Sequence, residues 1–166
     1  MRENTKKLTT LGLVAALYAV ITLALSGISY GPIQFRMAEV MVLLPLLGKE
    51  YILALTIGCF LANVIGPYGV PDIIFGTLAT FISTYLVYLT GKTMKDKKGH
   101  LLIASLWPTI VNAIIVGIML NKFFGAPLIL SMLQVGFGQF VVITIIGVPL
   151  FNMIEKKYGK KLKSLL

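Results

Sequence analysis

The chain has 166 residues, of which 57% are hydrophobic and only 13% are charged. An average soluble domain carries roughly 25% charged residues, so this composition excludes an ordinary soluble protein and indicates an integral membrane protein. The formal net charge of +9 does not indicate a nucleic-acid partner, because the basic residues fall in clumps beside apolar runs without interleaved aromatic side chains.

Six apolar segments follow one another along the chain. A helical crossing of the bilayer needs about 20 apolar residues, so the length accommodates about six spans, with short loops and no separate soluble domain. The first segment is longer than the about 7 to 15 apolar residues of a secretory signal and is expected to be retained. The second is too short to cross upright. A single all-α membrane domain, 1–166, is therefore predicted, with spans at approximately 8–28, 37–47, 51–65, 73–90, 101–120 and 128–154.

Lysine and arginine are concentrated at one end of these six spans. The N-terminus, the corner at Lys49, the loop from Lys92 to Lys98 and the C-terminal tail fall on one face, whereas the opposite face carries only Arg36 and Lys122. Cytoplasmic loops collect basic residues. Both termini are therefore predicted to be cytoplasmic.

The stretch GCFLANVIGPYGVPDIIFG, residues 58–76, interrupts the apolar sequence with polar side chains. Gly66-Pro67 and the Gly69-Val70-Pro71 turn are expected to break a helix, and Asp72 is placed to cap the next one. An amide at Asn63 and a carboxylate at Asp72 are costly near hydrocarbon unless they are paired. They therefore indicate a functional site by default.

Further polar residues are predicted at the same outer depth. Gln34, Arg36 and Glu39 begin the short second helix, Asn112 lies in the fifth span, and the sixth offers Gln134 or Gln139. The last two are about 140° apart around a helix, so only one faces inward, and Gln139 is favoured because it lies deeper. A short helix broken by glycine and proline is itself typical of membrane binding sites.

Each of these residues also has a purely structural explanation. Arg36 and Glu39, three residues apart on one helix face, could neutralise each other. Asp72 could act only as an N-cap, and Asn112 and Gln139 could only link neighbouring helices. Jointly these explanations are weaker, because a structural bundle has no need to gather such groups at one end.

The first span carries small residues at helical spacing, Gly12 with Ala16 and Ala15 with Ala19. Small residues let helices approach closely. This surface could pack inside the same bundle or dock another membrane subunit.

The sequence contains no recognisable catalytic, nucleotide-binding or metal-binding set. Gly91-Lys92-Thr93 is a false match to a phosphate-binding loop, since Leu86 stands where the loop needs glycine. The single cysteine, Cys59, lies in an apolar run and is interpreted as a small core residue. We predict no enzyme, no metal and no cofactor, so energy for any uptake must come from elsewhere.

Two stretches, YGPIQFRMAEVMVLLPLL from Tyr30 and GCFLANVIGPYGVPDIIFGTLAT from Gly58, resemble the queuosine-precursor transporter (QueT) family, one of the substrate-binding S components of energy-coupling factor (ECF) transporters. The resemblance covers essentially the whole chain. It implies a six-helix protein of the cell membrane that binds a deazaguanine precursor of queuosine from outside. A membrane coupling subunit and two cytoplasmic ATPases would drive its release inward. The Ala15/Ala19 pair resembles the alanine motif by which S components dock on the coupling subunit.

A deazaguanine base fits these side chains. Its guanine-like edge offers two adjacent N–H donors to a carboxylate and one carbonyl to an amide or arginine. An aminomethyl group would add a cation that needs a second acid, and Tyr68 or Tyr30 is placed to stack on the base. The predicted substrate-binding residues are Gln34, Arg36, Glu39, Asn63, Tyr68, Asp72, Asn112 and Gln139.

Three other functions are compatible with the sequence. The chain could be an S component for another vitamin-like molecule, a stand-alone secondary carrier, or a structural subunit of a larger membrane complex whose polar residues only hold helices together.

Overall fold

The protein is all-helical in the computed structural model, which describes residues 2–94 and 97–164. Lys95, in the loop predicted to be cytoplasmic, lies outside these ranges. The first six helices are α1 (Arg2–Ala24), α2 (Ser26–Ser29), α3 (Met37–Leu46), α4 (Glu50–Ile65), α5 (Gly69–Met94) and α6 (His100–Phe124). Helix α7 begins at Leu128 and consists of three consecutive pieces, Leu128–Gln139, Phe140–Gly147 and Val148–Ser164.

Four of these helices are long and apolar enough to cross a membrane, namely α1, α5, α6 and α7. Helices α3 and α4 are shorter apolar helices. The prediction of an all-α membrane protein is confirmed, and each of the six predicted apolar segments contains a helix. The first helix begins and ends earlier than the predicted span, because α1 covers Arg2–Ala24 and the separate turn α2 follows.

Helix α3 is a 3₁₀ helix of ten residues that includes Pro45. A 3₁₀ helix rises about 2.0 Å per residue, so ten residues reach about 20 Å, short of the about 30 Å of hydrocarbon in a bilayer. Ala38, Val42 and Leu43 are completely buried, and α3 contacts α1, α4, α5 and α7. The shortest apolar segment is thus the centre of the bundle, and it carries Glu39 into the interior.

Helix α5 begins at Gly69, whose φ of +61° favours glycine, and it passes through a π-helical turn at Asp72–Gly76. The prediction that Asp72 caps this helix is wrong. The helix starts three residues before Asp72, and the Asp72 side chain makes no capping hydrogen bond. The carboxylate is therefore free to point into the bundle. Single π-helical turns are frequent at functional sites.

Helices α1 and α4 pack closely through small residues. A Cβ added to Gly58 would lie 2.7 Å from the carbonyl oxygen of Ala15, so only glycine fits there. Ala15 and Ala19 are buried, whereas Gly12 and Ala16 are exposed. The predicted small-residue surface is therefore divided. Ala15 and Ala19 pack inside this chain, as the structural alternative proposed, and Gly12 and Ala16 face outward.

Candidate functional site

Side chains from four helices form one buried polar cluster, which we define as Tyr18, Arg36, Glu39, Cys59, Asn63 and Asp72. Arg36 immediately precedes α3, and its Nη2 lies 3.5 Å from Asp72 Oδ2. Asn63 Nδ2 donates a hydrogen bond to the backbone carbonyl of Asp72 at 2.9 Å. The Tyr18 hydroxyl donates to Glu39 Oε1. The cluster therefore joins α1, the start of α3, α4 and the π-helical turn of α5.

Arg36 forms its ion pair with Asp72, although Glu39 is closer along the chain. The backbone of Arg36 is extended, with φ −87° and ψ +92°, so Arg36 is not part of the helix on which Glu39 lies. Its guanidinium reaches α4 and α5 instead, where Nη1 lies 3.7 Å from Cys59 Sγ. Because of this backbone conformation, spacing along a helix does not identify the partner of Arg36.

Gln34 is held in a strained conformation at the edge of the cluster. Its φ of +53° is uncommon for a residue other than glycine, and such conformations persist only where the surrounding structure imposes them. Tight packing supplies that constraint, since a Cβ on Gly138 of α7 would overlap the carbonyl oxygen of Ile33. This packing also brings the turn of α7 that contains Gln139 next to the loop that contains Gln34.

Five of the predicted site residues have buried side-chain atoms without a hydrogen-bond partner among the described residues. These atoms are Gln34 Nε2, Glu39 Oε2, Asn63 Oδ1, both carboxylate oxygens of Asp72, and Gln139 Oε1. Folded proteins leave few such groups, and each costs about 1–3 kcal/mol. The set comprises one amide donor and five oxygen acceptors, which suits a polar ligand rich in N–H donors. Within residues 2–94 and 97–164, no group of three His, Cys, Asp or Glu side chains could hold a metal ion.

Aromatic side chains lie beside the cluster. The Arg36 guanidinium lies 5.1 Å from the centre of the Tyr30 ring, a cation–π contact. The Tyr30 ring meets Tyr68 edge to face at 6.2 Å, and the Tyr68 hydroxyl donates to the Tyr30 carbonyl at 2.9 Å. Burial raises the pKa of Tyr30 to about 12 and also raises the pKa of Tyr68. Both rings therefore carry neutral hydroxyl groups.

The cluster is closed to solvent in this conformation. Gln34, Arg36, Glu39, Asn63 and Asp72 are each at most 5% exposed. A surface groove of about 470 Å³ beside the cluster is lined by Ser26, Gly27, Tyr30, Ile65 and Pro67. A solute that enters the cluster therefore has to displace side chains first.

The predicted site residues Asn112 and Gln139 differ in their surroundings. Asn112 Nδ2 donates to the Pro108 carbonyl at 3.0 Å, so its hydrogen bond stays within α6 and does not connect it to the cluster. Gln139 is buried, whereas Gln134 is only half-buried, in agreement with the choice of Gln139 as the inward-facing residue.

Sequence reasoning missed two members of the cluster, Tyr18 and Cys59. Tyr18 lies on the same face of α1 as Ala15 and Ala19, and this small-residue face was a signal that its side chain points inward. Cys59 is buried, as expected of a core residue, but its sulfur also accepts hydrogen bonds from Asn63 at 3.3 Å and Thr80 at 3.1 Å. The four-residue spacing of Cys59 and Asn63 on α4 was the signal in that case.

Comparisons with known proteins agree with these observations. A family model described as QueT transporter matches residues 8–156. The chain is also 39% identical over 97 residues to the curated "Queuosine precursor transporter QueT" of Lactococcus lactis subsp. cremoris (strain MG1363). That match covers 57% of this chain and 57% of the relative. No solved structure matches the chain. The family and the relative are described as transporters, which are not enzymes, and the long apolar helices fit a multi-pass protein of the cell membrane.

Proposed function

Because the chain belongs to the QueT transporter family, we propose that it captures a queuosine precursor, a deazaguanine base, in the buried polar cluster for import. The name of the Lactococcus lactis relative supports this substrate class. The observation that carries the proposal is the set of unpaired buried atoms on Gln34, Glu39, Asn63 and Asp72. A bundle held together only by packing has no use for them.

The base satisfies these groups through its polar edge and its ring face. A carboxylate accepts the two adjacent N–H donors, for which Asp72 is the candidate, with Arg36 holding its second oxygen. The amide of Gln34, whose Nε2 is unpaired, donates to the ring carbonyl, and Asn63 Oδ1 accepts a further N–H of the base. The ring stacks on Tyr68 or Tyr30, and Gln139 supplies a further acceptor from α7. Asn112 is the weakest member of the predicted set, since its amide is engaged within α6.

The transporter is proposed to act as an ECF S component, with six spans and both termini in the cytoplasm. In this topology the short helices α3 and α4 are the second and third of the six spans, and the polar cluster lies toward the extracellular side. A membrane coupling subunit and two cytoplasmic ATPases supply the energy, consistent with a sequence that contains no nucleotide-binding motif. The exposed positions Gly12 and Ala16 of α1 are the proposed docking surface for the coupling subunit.

Binding of a deazaguanine base to the detergent-purified protein tests the site. A ligand that binds the folded state raises its thermal stability by mass action. Asp72→Ala and Glu39→Ala should each weaken binding at least about tenfold, equivalent to about 1.4 kcal/mol. Glu50→Ala is the control, because Glu50 lies at the start of α4 and pairs with Lys7 outside the cluster. Unchanged affinity in both cluster variants would remove the site assignment.

Vesicle assays test the transport mechanism. Uptake should require the coupling subunit and the ATPases, and vesicles containing this chain alone should bind the base without accumulating it. Accumulation by the chain alone would identify a stand-alone carrier instead. If no nucleobase or vitamin raises the thermal stability of the protein, the structural-subunit alternative is favoured.

Co-purification tests the docking surface. Ala16→Trp should abolish recovery of the coupling subunit, because a large side chain prevents close helix approach. Leu17→Trp is the matched control, since Leu17 is exposed about 100° around α1 from Ala16 and is already large. Equal recovery with both variants would place the docking surface elsewhere.

A further inference from the structure

The polar cluster contains an unequal number of acids and bases. Among the described residues, three charged side chains are buried: Arg36 at 5% exposure, and Glu39 and Asp72 at 1% each. When all three are ionised, the cluster carries one net negative charge. A charge in the interior of a membrane protein is costly unless another charge compensates it.

Of the two acids, only Asp72 forms an ion pair with Arg36; the charge of Arg36 also acts on Glu39, but no ion pair joins them. Asp72 Oδ2 lies 3.5 Å from Arg36 Nη2, which makes those two residues an ion pair. Glu39 Oε1 accepts from the Tyr18 hydroxyl, which is a donor but not a cation, and Glu39 Oε2 has no hydrogen-bond partner among residues 2–94 and 97–164. Lys7 is a cation on the neighbouring helix α1, but it pairs with Glu50 at 2.8 Å.

We propose that the site selects a ligand with one positive charge, a heteroaromatic base bearing a primary ammonium group, and that Glu39 binds this ammonium. This inference rests on the proposed function and specifies the charge of its substrate. An ammonium group has three N–H donors and can form a charge-assisted hydrogen bond to Glu39 Oε2. Tyr18 orients the carboxylate by holding its other oxygen. The ion pair of Arg36 and Asp72 remains available for the polar edge of the ring.

Two ligands of the same shape isolate the effect of charge. Aminomethyl-deazaguanine carries an ammonium at neutral pH, and hydroxymethyl-deazaguanine replaces it with a neutral hydroxyl of similar size. The cationic ligand should bind the wild-type protein at least about tenfold more tightly, which corresponds to about 1.4 kcal/mol. Glu39→Gln removes the charge but retains the side-chain shape, and it should reduce this preference to less than about threefold. Glu50→Gln makes the same chemical change outside the cluster and should retain the preference.

The possible results separate this inference from the proposed function. Equal affinity of the wild-type protein for the two ligands would overturn the inference while leaving the proposed function intact. Equal losses for both ligands in Glu39→Gln would also overturn it, since Glu39 would then bind the ring. If neither ligand bound, the proposed function itself would fail. The wild-type comparison is decisive even if Glu39→Gln does not fold.

Discussion

Replacement of Arg36 should destabilise the protein more than replacement of either acid in the cluster. Arg36→Gln leaves Glu39 and Asp72 buried without a cation, and loss of one partner of a buried ion pair costs about 3–5 kcal/mol. Asp72→Asn leaves one acid for Arg36, and Glu39→Gln leaves the ion pair of Arg36 and Asp72 intact. Each should cost only about 1–2 kcal/mol, the scale of a disturbed buried hydrogen bond.

The surface ion pair of Lys7 and Glu50 provides the control. Its N–O distance of 2.8 Å is shorter than the 3.5 Å between Arg36 and Asp72, but its side chains are 33% and 23% exposed. Water screens such a pair and rehydrates the charge that remains, so exposed pairs contribute about 0–1 kcal/mol. Lys7→Gln should therefore have a small effect despite the shorter bond.

Thermal unfolding of the ligand-free protein in detergent measures the difference. For a chain of this size, about 1 kcal/mol corresponds to a change of about 2–4 °C in Tm. Arg36→Gln should lower Tm by about 6–20 °C, and Lys7→Gln by at most about 4 °C. Equal decreases in Tm for Arg36→Gln and Asp72→Asn would refute the argument that the cluster holds two acids and one base. If Lys7→Gln lowered Tm as much as Arg36→Gln, burial would not determine how much an ion pair contributes to stability.

Three further predictions concern packing and the newly found members of the cluster. Gly138→Ala should reduce stability by about 1–3 kcal/mol, because the added Cβ would overlap the loop backbone before α3. Gly12→Ala should instead stabilise α1 by up to about 1 kcal/mol, because nothing lies within 4 Å of its added Cβ. Thermal melts in which Gly12→Ala is the less stable variant would contradict the close approach of α7 to this loop. Tyr18→Phe should cost about 1–3 kcal/mol in the same assay, because Glu39 loses its donor, and a neutral result would argue against that contact. Cys59, the single cysteine, should react slowly with N-ethylmaleimide in the folded protein and more slowly still with a bound base; rapid labelling of the native protein would show that the cluster is open.

The positions of the helices could be predicted from the sequence because hydrocarbon imposes one strong rule. A chain in the membrane has to satisfy its backbone hydrogen bonds internally, so each long apolar segment becomes a helix. Helical periodicity indicated that only one of Gln134 and Gln139 faces inward, and depth along the span favoured Gln139. The same reasoning failed at Asp72, because the preceding prolines suggested a cap, while the helix had already begun at Gly69.

The partners within the cluster could not be predicted in the same way. Arg36 and Glu39 are close in sequence, but the extended backbone at Arg36 directs its side chain to Asp72 on another helix. In the sequence, Tyr18 and Cys59 resemble ordinary core residues of membrane helices. Only their contacts with Glu39 and Arg36 show that they belong to the cluster. These contacts join residues far apart along the chain, and no local pattern records which faces of two helices will meet.

Composition and hydropathy alone determined the class of this protein and the approximate extent of its helices, since transfer of apolar side chains out of water depends little on their neighbours. The tertiary structure decided which buried acid forms an ion pair with Arg36, because that pairing depends on distances of a few ångströms between α1, α3, α4 and α5. A shift of one helical turn in any of these helices would change the pairing without changing the hydropathy of the sequence.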